Sequence, residues 1–329
     1  MKPKVLALRK LPQEARAIIS EHCELLVVEE GERMSREQML PKLSDVHGLY
    51  QSGVRIDDEL LDHAPVLKVV SNVSVGYDNF DLEAMRRHHI IGTHTPYVLD
   101  DTVADLTIAL MLSAARRMPE LDRKVKEGRW IRNEDPTAIF GVDVHHATLG
   151  IVGMGRIGEA VAKRARFGFD MNILYHSRRP KPEVESRYGA EYRTLETLLQ
   201  ESDFVVVLAP LTEATRLMFR REQFRLMKPS AIFINVARGQ LVDEEALVEA
   251  LEQGWIRAAG LDVYAEEPIS PSHPLLRFPQ VVTMPHIGSA TAKTRHDMHV
   301  SAARSLVAAL TGHGEAYIVP ELRGEVARQ

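Results

Sequence analysis

The stretch LGIVGMGRIG, residues 149–158, is an apolar segment that runs into a G-x-G-x-x-G motif, and a helix-forming segment follows it. A strand, a glycine turn and a helix in this order are typical of the βαβ unit that binds a dinucleotide. Gly153 permits the tight turn, Gly155 lets the backbone approach a pyrophosphate, and Gly158 allows close packing of helix and strand. The pyrophosphate would lie on unpaired N–H groups where the helix begins, at Arg156 and Ile157.

The residues after the next strand indicate which dinucleotide is bound. About 20 residues beyond the motif, an NAD site usually places Asp or Glu on the ribose 2′-hydroxyl. Here a strand predicted over 171–175 is followed by His176, Ser177, Arg178 and Arg179. A carboxylate would repel a 2′-phosphate, whereas a hydroxyl and two guanidiniums would bind it. This favours NADPH and leaves NADH possible, since the two arginines could also be an ordinary solvated pair.

The composition excludes several classes of protein. A chain of 329 residues suits two domains better than one core. Its net charge of −5 gives no reason to expect binding to nucleic acid or to a membrane surface. No apolar run is long enough to span a membrane, and the single cysteine, Cys23, excludes an intrachain disulfide. We therefore expect a reducing compartment, most simply the cytoplasm.

Short apolar runs alternate with helical patterns along the whole chain, which predicts an α/β protein with parallel sheets. Four runs precede the glycine motif and four follow the 171–175 strand, at 5–8, 25–28, 48–50, 67–70, 203–208, 231–235, 258–261 and 281–283. We predict two doubly wound parallel-sheet domains. A central Rossmann cofactor domain, residues 99–289, is inserted into a smaller flavodoxin-like substrate domain made of residues 1–98 and 290–329, and a long helix over 291–310 returns to it.

Two further helices have recognisable ends. One over 101–116 follows the first domain, with Asp101 or Thr102 as its N-cap, and one over 243–253 has Asp243 as N-cap and Gly254 as its stop. Between the first helix and the glycine motif, residues 129–146 show no regular periodicity but carry Trp130, Ile131, Ile139 and Phe140. This loop either reaches a neighbouring subunit or caps the core.

Three strands of the central sheet lead into charged residues. Arg238 follows the strand over 231–235, Asp262, Glu266 and Glu267 follow 258–261, and His286 follows 281–283. Ligands of doubly wound sheets bind outside the carboxyl ends of the strands. We therefore expect these groups to converge where the nicotinamide lies.

Their chemistry fits hydride transfer to a 2-oxo acid. The planar guanidinium of Arg238 would hold the substrate carboxylate and polarise the carbonyl. The imidazole of His286 would protonate the new alkoxide, because it titrates near working pH. A carboxylate bonded to the imidazole, Glu267 or its rival Glu266, would fix the tautomer and keep the proton available for delivery.

Each of these residues also has an ordinary structural interpretation. Arg238 could cap a carbonyl in a turn, Glu267 could be a solvated charge before Pro268, and His286 could be a structural histidine. The remaining histidines that we compared lack a setting directly after an apolar strand, namely His88, His89, His94, His145, His146, His296 and His299. No pair of them has metal-ligand spacing, and with one cysteine we predict no metal site.

A fourth element comes from the first domain. The strand over 67–70 leads into a turn containing Gly76, and such a turn can present successive backbone N–H groups to an anion. We assign the substrate carboxylate to the amides of Val75 and Gly76 together with Arg238. The alternative is an ordinary strand-to-helix turn.

Five segments, taken in order, resemble the D-2-hydroxyacid dehydrogenases, and within them the glyoxylate/hydroxypyruvate reductase and 2-ketogluconate reductase branch. They are residues 74–78, 153–158, 235–239, 260–268 and 285–291. The resemblance extends over nearly the whole chain, and five motifs in this order are highly specific to the family.

The resemblance implies that Arg238 binds substrate, that Glu267 rather than Glu266 pairs with the histidine, and that His286 is the proton donor. It also implies cofactor contacts from Thr102, Ala209, Pro210, Leu211, Ala237, Asp262 and Gly288, beside Arg238 and His286, and a homodimer built around the central domains. His176 and Ser177 stand where NAD-type members have an acid. This difference matches the reductase branch, whose members use NADPH.

Two other dehydrogenases and one non-catalytic protein are the alternatives to this prediction. A phosphoglycerate dehydrogenase would need cations for a substrate phosphate, and often an appended domain. Formate dehydrogenase has a glutamine where Glu267 stands. A dinucleotide-sensing corepressor would keep the fold without turnover. The leading hypothesis is an NADPH-dependent reductase of glyoxylate, hydroxypyruvate or 2-keto-D-gluconate.

Overall fold

A computed structural model describes residues 2–27, 34–132 and 135–328. The chain forms two compact units, one made of Met1–Leu99 with Ala290–Gln329 and the other of Asp100–Ser289. Each unit is built on one parallel sheet with helices, so the predicted α/β class with two parallel-sheet domains is confirmed.

The first unit contains a five-stranded sheet in the order β2-β1-β3-β4-β5, in which every neighbouring pair is parallel. Its strands are β1 (Lys4–Ala7), β2 (Glu24–Val27), β3 (Gly48–Gln51), β4 (Val69–Asn72) and β5 (Ile91–Thr93). Its helices are α1 (Gln13–His22), α2 (Arg36–Met39), α3 (Asp58–Asp62), α4 (Leu82–Arg87) and the long helix Ala292–Thr311. Short 3₁₀ helices cover Leu40–Lys42 and Pro320–Arg328.

Polar caps set the ends of these helices. The side chains of Asp57, Asp81 and Thr291 each accept a hydrogen bond from a backbone N–H in the first turn of the helix that follows. Such caps satisfy donors that the helix itself leaves unpaired. Between the helices and the sheet lies a core of aliphatic side chains, in which Leu43, Leu49, Ile56 and Leu60 are fully buried.

The second unit contains a seven-stranded parallel sheet in the order β12-β11-β10-β9-β6-β7-β8. Its strands are β6 (Thr148–Val152), β7 (Asn172–His176), β8 (Glu191–Tyr192), β9 (Phe204–Val207), β10 (Ile232–Asn235), β11 (Ala258–Leu261) and β12 (Val281–Thr283). Its helices are α5 (Asp100–Ala115), α6 (Met118–Lys126), α7 (Arg156–Phe169), α8 (Pro182–Tyr188), α9 (Leu195–Glu201), α10 (Arg221–Leu226) and α11 (Glu244–Glu252), and the helix Ala292–Thr311 of the first unit is α12. Further 3₁₀ helices cover Pro136–Ile139, Gly239–Leu241 and Pro274–Arg277.

The central strands of this sheet are covered on both faces. All residues of β9, β10 and β11 are buried, which explains why they form continuous apolar runs instead of alternating with polar residues. Strand order reverses on either side of β6, which pairs with β7 and with β9. The carboxyl end of β6 is therefore the switch point at which doubly wound sheets bind ligands.

Several sequence-based boundaries need correction. The helix predicted over 101–116 begins at Asp100, so Asp101 and Thr102 lie inside its first turn and neither is the N-cap. The strand predicted over 67–70 is shifted to Val69–Asn72. Val28, the last residue of the 25–28 run, lies outside the described residues. Strands β5 and β8 were not predicted, because three and two residues are too short to give a pattern.

Four large apolar side chains of the loop over 129–146 lie at the surface of the chain. Trp130, Ile131, Ile139 and Phe140 are exposed, so they do not cap the core of their own unit. Of this loop, residues 133 and 134 are outside the described part. In the described ranges of the chain, no helix combines the length and apolar character that crossing a membrane requires.

Candidate active site

The glycine turn after β6 has the geometry that its motif predicts. Gly153 has a φ of +104°, and a Cβ there would lie 2.5 Å from the Ala209 nitrogen. A Cβ on Gly158 would lie 2.6 Å from the Gly153 carbonyl oxygen, whereas one on Gly155 would meet nothing within 4 Å. The first and third glycines therefore allow close packing, and the second leaves open space beside the backbone.

Helix α7 begins directly after this open space. Its N-cap, Gly155, has no side chain to bond the first-turn N–H groups, which belong to Arg156 and the residues after it. The Arg156 side chain does not cap these N–H groups. Its Nε donates to the Asp100 carboxylate at 2.9 Å. An uncapped N-terminus on a 14-residue helix, with room in front of it, fits the pyrophosphate of a dinucleotide.

The end of β7 carries cations and no acid. His176 is the last residue of β7, and its ring Nδ1 lies 3.0 Å from the Arg193 carbonyl oxygen. The Ser177 hydroxyl donates to the Arg179 carbonyl at 2.7 Å, which folds the segment into a tight turn. Arg178 and Arg179 are exposed, and neither guanidinium pairs with a carboxylate within residues 2–27, 34–132 and 135–328.

Arg238 lies in a turn that is tied to its neighbours by backbone contacts. The Asn235 side chain accepts a hydrogen bond from the Ala237 N–H and donates one to the Arg238 carbonyl. These two bonds close the turn after β10. Gly239 packs so tightly that a Cβ would lie 1.8 Å from the Tyr264 carbonyl carbon. The half-buried Arg238 donates from Nη1 to the Ala237 carbonyl at 2.8 Å, so one donor does cap a turn carbonyl.

Glu267 and His286 form a hydrogen-bonded pair. The imidazole Nδ1 lies 2.6 Å from Oε2 of Glu267, while Oε1 of Glu267 receives the Tyr264 N–H at 3.1 Å. Because a carboxylate accepts, Nδ1 carries the proton, and Nε2 is the ring nitrogen that does not bond Glu267. Both side chains stay accessible, with 46% of His286 and 35% of Glu267 exposed. Glu267, not its neighbour Glu266, is the carboxylate that bonds the histidine.

The charge of Glu267 is stabilised by its surroundings. Partial burial raises the pKa of Glu267, but the hydrogen bond with His286, the Tyr264 amide and the positive charge of Arg238 outweigh it. The pKa of Glu267 therefore lies below the ordinary value of a glutamate. Arg238 and His286 thus both act on the charge of Glu267, although the three residues follow three different strands.

Asp262 holds the backbone that carries His286. Its own carbonyl accepts the His286 N–H at 2.9 Å, and its two carboxylate oxygens accept the N–H groups of Ile287 and Gly288 at 2.7 and 2.8 Å. His286 has a φ of +53°, a left-handed conformation that side chains other than glycine rarely adopt. Burial raises the pKa of Asp262, and the two amide bonds and His286 oppose that rise. Gly288 is one of the residues expected to contact the cofactor. Its amide donates its hydrogen bond to Asp262.

Several positioning residues were not predicted from the sequence. Glu244, at the start of α11, accepts the Ala265 N–H at 2.8 Å and lies 3.3 Å from His273 Nε2. Gln240 donates to the Ala265 carbonyl at 2.8 Å. These contacts, with the Tyr264 amide, fix the loop that carries Glu267. Of these residues, only Glu244 lies in a recognisable helix-cap pattern, D-E-E at 243–245. The sequence therefore gives little indication that they position this loop.

The other residues expected at a cofactor lie around the same sheet edge. Thr102 lies in the first turn of α5, Ala209 is packed against Gly153, and Ala237 and Pro210 lie in turns after β10 and β9. Their contacts with a cofactor stay predictions. In the first unit, Val75 and Gly76 lie half-buried in the turn after β4.

Comparisons with known proteins show the family of the chain. Residues 108–288 match the family model of the D-isomer specific 2-hydroxyacid dehydrogenase, NAD binding domain. A glyoxylate/hydroxypyruvate reductase B of Escherichia fergusonii is 49% identical over 313 residues, which cover 95% of this chain and 96% of that protein. A protein of the same name from Klebsiella pneumoniae is 48% identical over 315 residues, 96% of this chain and 97% of the relative.

Solved structures show the same similarity. An NADPH-dependent glyoxylate/hydroxypyruvate reductase from Sinorhizobium meliloti, crystallised with NADP and malonate, matches with a TM-score of 0.87 at 34% identity, covering 98% of each chain. A glyoxylate reductase from Paecilomyes thermophila matches with a TM-score of 0.88 at 32% identity, covering 98% of this chain and 99% of the other. The family match, the near-complete coverage and the nicotinamide dinucleotide fold lead to one conclusion: the chain belongs to the D-isomer specific 2-hydroxyacid dehydrogenases.

Proposed function

We propose that this protein is an NADPH-dependent reductase that converts small 2-oxo acids, namely glyoxylate, hydroxypyruvate and 2-keto-D-gluconate, into 2-hydroxy acids. The observation that carries the proposal is the 2.6 Å pair of His286 and Glu267, which acts beside the Arg238 charge. The names of the curated relatives and of the solved reductases support the first two substrates. 2-Keto-D-gluconate rests on the branch that the sequence motifs resemble.

The three residues have separate tasks in this reaction. When bound, the nicotinamide supplies the hydride. Arg238 pairs with the substrate carboxylate and the adjacent carbonyl oxygen, and its positive charge stabilises the alkoxide as it forms. His286 delivers the proton from Nε2, because Nδ1 is bonded to Glu267. Glu267 keeps its negative charge and so stabilises the imidazolium before delivery. The amides of Val75 and Gly76 are proposed to bind the substrate carboxylate as well.

The preference for NADPH follows from the turn after β7. Ser177, Arg178 and Arg179 offer a hydroxyl and two guanidiniums, and within the described segments the two guanidiniums are committed to no ion pair. A 2′-phosphate can form charge-assisted hydrogen bonds with such groups. The proposed remaining contacts are at Thr102, Gly153, Gly155, Arg156, Ile157, Gly158, Ala209, Pro210, Ala237, Asp262 and Gly288. The second unit is thus the cofactor domain and the first the substrate domain.

A homodimer is proposed from an exposed apolar surface on the second unit. Helix α6 buries no residue, and Met118 and Val125 lie on one side of it, 55% and 56% exposed. Arg116, Met118, Leu121, Asp122 and Val125 line a groove of about 550 Å³. Trp130 and Phe140, which are 69% and 57% exposed, follow in the next loop. Large apolar side chains exposed on neighbouring segments of a chain are typical of a protein interface, and a second copy is the proposed occupant. The buried free thiol of Cys23 fits a reducing compartment, which we propose is the cytoplasm.

A cofactor and substrate panel tests the function. NADPH and NADH oxidation are followed with glyoxylate, hydroxypyruvate, 2-keto-D-gluconate and 3-phosphohydroxypyruvate. We expect turnover of the first three and a KM for NADPH well below that for NADH. Replacing both Arg178 and Arg179 by Ser should raise the KM for NADPH by at least tenfold, the loss of two charged contacts, and leave the KM for NADH nearly unchanged.

The controls separate the alternatives. Replacing Arg187, a cation on α8 that lies 3.7 Å from Glu159, with Ser should leave both values unchanged. Equal effects of the double variant on the two cofactors would contradict the 2′-phosphate assignment. Dinucleotide binding without turnover of any 2-oxo acid would instead indicate a dinucleotide-sensing protein.

A further inference from the structure

Four consecutive carbonyls in the turn after β4, those of Ser74 to Tyr77, are bonded to protein donors. The carbonyl of Ser74 accepts the Thr95 N–H at 2.9 Å, and that of Val75 lies 2.9 Å from Nδ1 of His94. The remaining two carbonyls, of Gly76 and Tyr77, accept from the Asn72 side chain at 2.8 Å and from the Phe80 N–H at 2.9 Å. Four consecutive carbonyls are thus held by groups from β4, from the segment after β5 and from the turn itself.

Three backbone amides of the same turn differ from these carbonyls. Among the residues that the structure describes, the N–H groups of Ser74, Val75 and Gly76 donate to no protein acceptor. Unpaired buried or half-buried N–H groups are costly unless a ligand or water takes them. Successive amides of this kind form a concave site for an anion.

The bonded carbonyls decide where these amides point. A trans peptide is planar, so the N–H of one residue points opposite to the carbonyl of the residue before it. The Thr95 amide, which holds the Ser74 carbonyl, therefore sets the direction of the Val75 N–H. In the same way His94, which holds the Val75 carbonyl, sets the direction of the Gly76 N–H.

His94 is itself fixed in place. Its backbone N–H donates to the Tyr317 carbonyl at 3.0 Å, and its ring meets the Tyr77 ring edge to face, with centroids 5.4 Å apart and planes at 88°. The Tyr77 hydroxyl in turn lies 3.1 Å from a Glu321 carboxylate oxygen. Since a carbonyl can only accept, Nδ1 of His94 is the protonated nitrogen.

We propose that His94 is a positioning residue for the reaction: its Nδ1–H holds the Val75 carbonyl and so aims the Gly76 amide at the carboxylate of the 2-oxo acid. The proposal rests on the proposed function, in which Val75 and Gly76 bind that carboxylate. His94 does not touch the substrate. Its loss should weaken carboxylate binding and leave the hydride and proton steps intact.

Two substitutions separate hydrogen-bond donation from ring packing. His94→Phe keeps a ring against Tyr77 but removes the donor, whereas His94→Asn loses the ring and keeps an N–H donor at the Nδ1 position. His94→Leu is a second donor-free variant should His94→Phe not fold. The matched control is His63→Phe, because the exposed His63 of the same unit has its Nδ1 2.8 Å from the Glu59 carbonyl oxygen.

The measurements are glyoxylate kinetics with saturating NADPH, and calorimetric binding of oxalate to the NADPH-bound protein. For His94→Phe we expect the KM for glyoxylate and the Kd for oxalate to rise about tenfold, as for a lost hydrogen bond that leaves an acceptor unsatisfied. The kcat and the KM for NADPH should stay within about twofold. His94→Asn should recover most of the loss, and His63→Phe should match the parent protein.

Two results would overturn the inference. One is oxalate binding and KM values in the donor-free variants equal to those of the parent, and the other is an equal loss in His94→Asn and His94→Phe. A parent protein that reduces no 2-oxo acid would defeat the proposed function instead. The oxalate measurement still decides the role of His94 in that case, because it needs no turnover.

Discussion

His286 adopts a left-handed backbone conformation, and three successive N–H groups, its own and those of Ile287 and Gly288, are bonded to Asp262. Such a conformation costs on the order of 1–3 kcal/mol in a residue other than glycine. The buried carboxylate of Asp262 offsets that cost and fixes the imidazole relative to Glu267. At this scale, the proposed proton donor is positioned by one aspartate and oriented by one glutamate.

Replacing His286 by Gln tests the proton donor. Glutamine can still donate a hydrogen bond, but it cannot supply a proton at neutral pH. We expect kcat for glyoxylate reduction to fall by ~10²–10⁴, the usual contribution of a general acid, while NADPH binding measured by fluorescence stays unchanged. His145→Gln, at an exposed histidine of the same unit, serves as the control. An unaltered kcat in His286→Gln would remove this residue from the mechanism.

Glu267→Gln tests the role of the carboxylate charge through the pH profile. Because the pKa of Glu267 is held below its ordinary value, its negative charge persists throughout the neutral range. Glutamine keeps an acceptor for Nδ1 but removes the charge that stabilises the imidazolium. We expect kcat to fall about tenfold to a hundredfold, as for a lost charged hydrogen bond, and the alkaline limb of the profile to move to lower pH.

Glu266→Gln is the matched control for this experiment. Glu266 is the neighbouring glutamate, it is exposed, and it does not bond His286. Its substitution should leave both kcat and the pH profile as they are in the parent protein. If the two glutamine variants behaved alike, the pairing of Glu267 with His286 would have no part in catalysis.

At the scale of elements, the glycines of β6 and α7 serve different purposes. Gly153 needs its positive φ, and a side chain there would press on the backbone after β9. Gly168 lies near the end of α7, exposed, with nothing within 4 Å of an added Cβ. The first position therefore requires glycine for the turn, and the second does not.

The paired substitutions Gly153→Ala and Gly168→Ala should shift stability in opposite directions. Strain and overlap should lower the free energy of unfolding by about 2 kcal/mol or more in Gly153→Ala. A helical alanine should raise it by about 0.5–1 kcal/mol in Gly168→Ala. Chemical denaturation measures both, and NADPH affinity should fall only in the first variant. Equal stabilities would mean that the turn does not need its left-handed conformation.

At the scale of the whole molecule, acid stability depends on His299 in the first unit. Its Nδ1 lies 2.7 Å from the Tyr50 hydroxyl, and Tyr50 is fully buried. Burial, together with Arg9, Arg295 and His296, lowers the pKa of His299 to about 4. The unfolded chain binds this proton more readily, so its contribution to stability is complete above pH ~6.5 and is lost as the pH falls towards 4.

Denaturation at several pH values tests this contribution. Between pH 7 and pH 4.5 we expect the parent protein to lose on the order of 1–2 kcal/mol through His299, after allowance for its partial exposure. His299→Gln should be less stable at pH 7 and show a shallower decline. His296→Gln, on the same helix, should keep the decline of the parent. A parallel decline in all three proteins would exclude His299 as its source.

The exposed apolar surface gives a prediction about assembly. Trp130→Ser combined with Phe140→Ser should convert a dimer into a monomer of 37.0 kDa, as measured by light scattering. Both side chains are exposed within the chain, so the variant should keep its fold and its thermal midpoint. Val66→Ser, at an exposed apolar residue of the first unit, should remain dimeric. A parent protein that is monomeric at micromolar concentration would contradict the homodimer.

The amino-acid sequence by itself determined the α/β class, the order of the long strands, the glycine turn and the helix cap at Asp243. These features depend on neighbours a few residues apart, on apolar periodicity, glycine conformation and side-chain caps, and are therefore local. The sequence also predicted Arg238, Glu267 and His286 as candidate site residues, because each follows an apolar strand. It could not detect strands as short as β5, and it misplaced the cap of α5.

Only the tertiary structure decided how the residues at the strand ends are held. Glu267 bonds His286, as the family resemblance implies, and Asp262 holds the backbone of 286–288, because β10, β11 and β12 lie side by side with their carboxyl ends together. The sequence shows no recognisable apolar strand before His94 and so gives it no functional role. The pairing of β4 with β5 nevertheless places its ring at the Val75 carbonyl. Contacts between residues far apart along the chain depend on which strands become neighbours, and no local pattern encodes that choice.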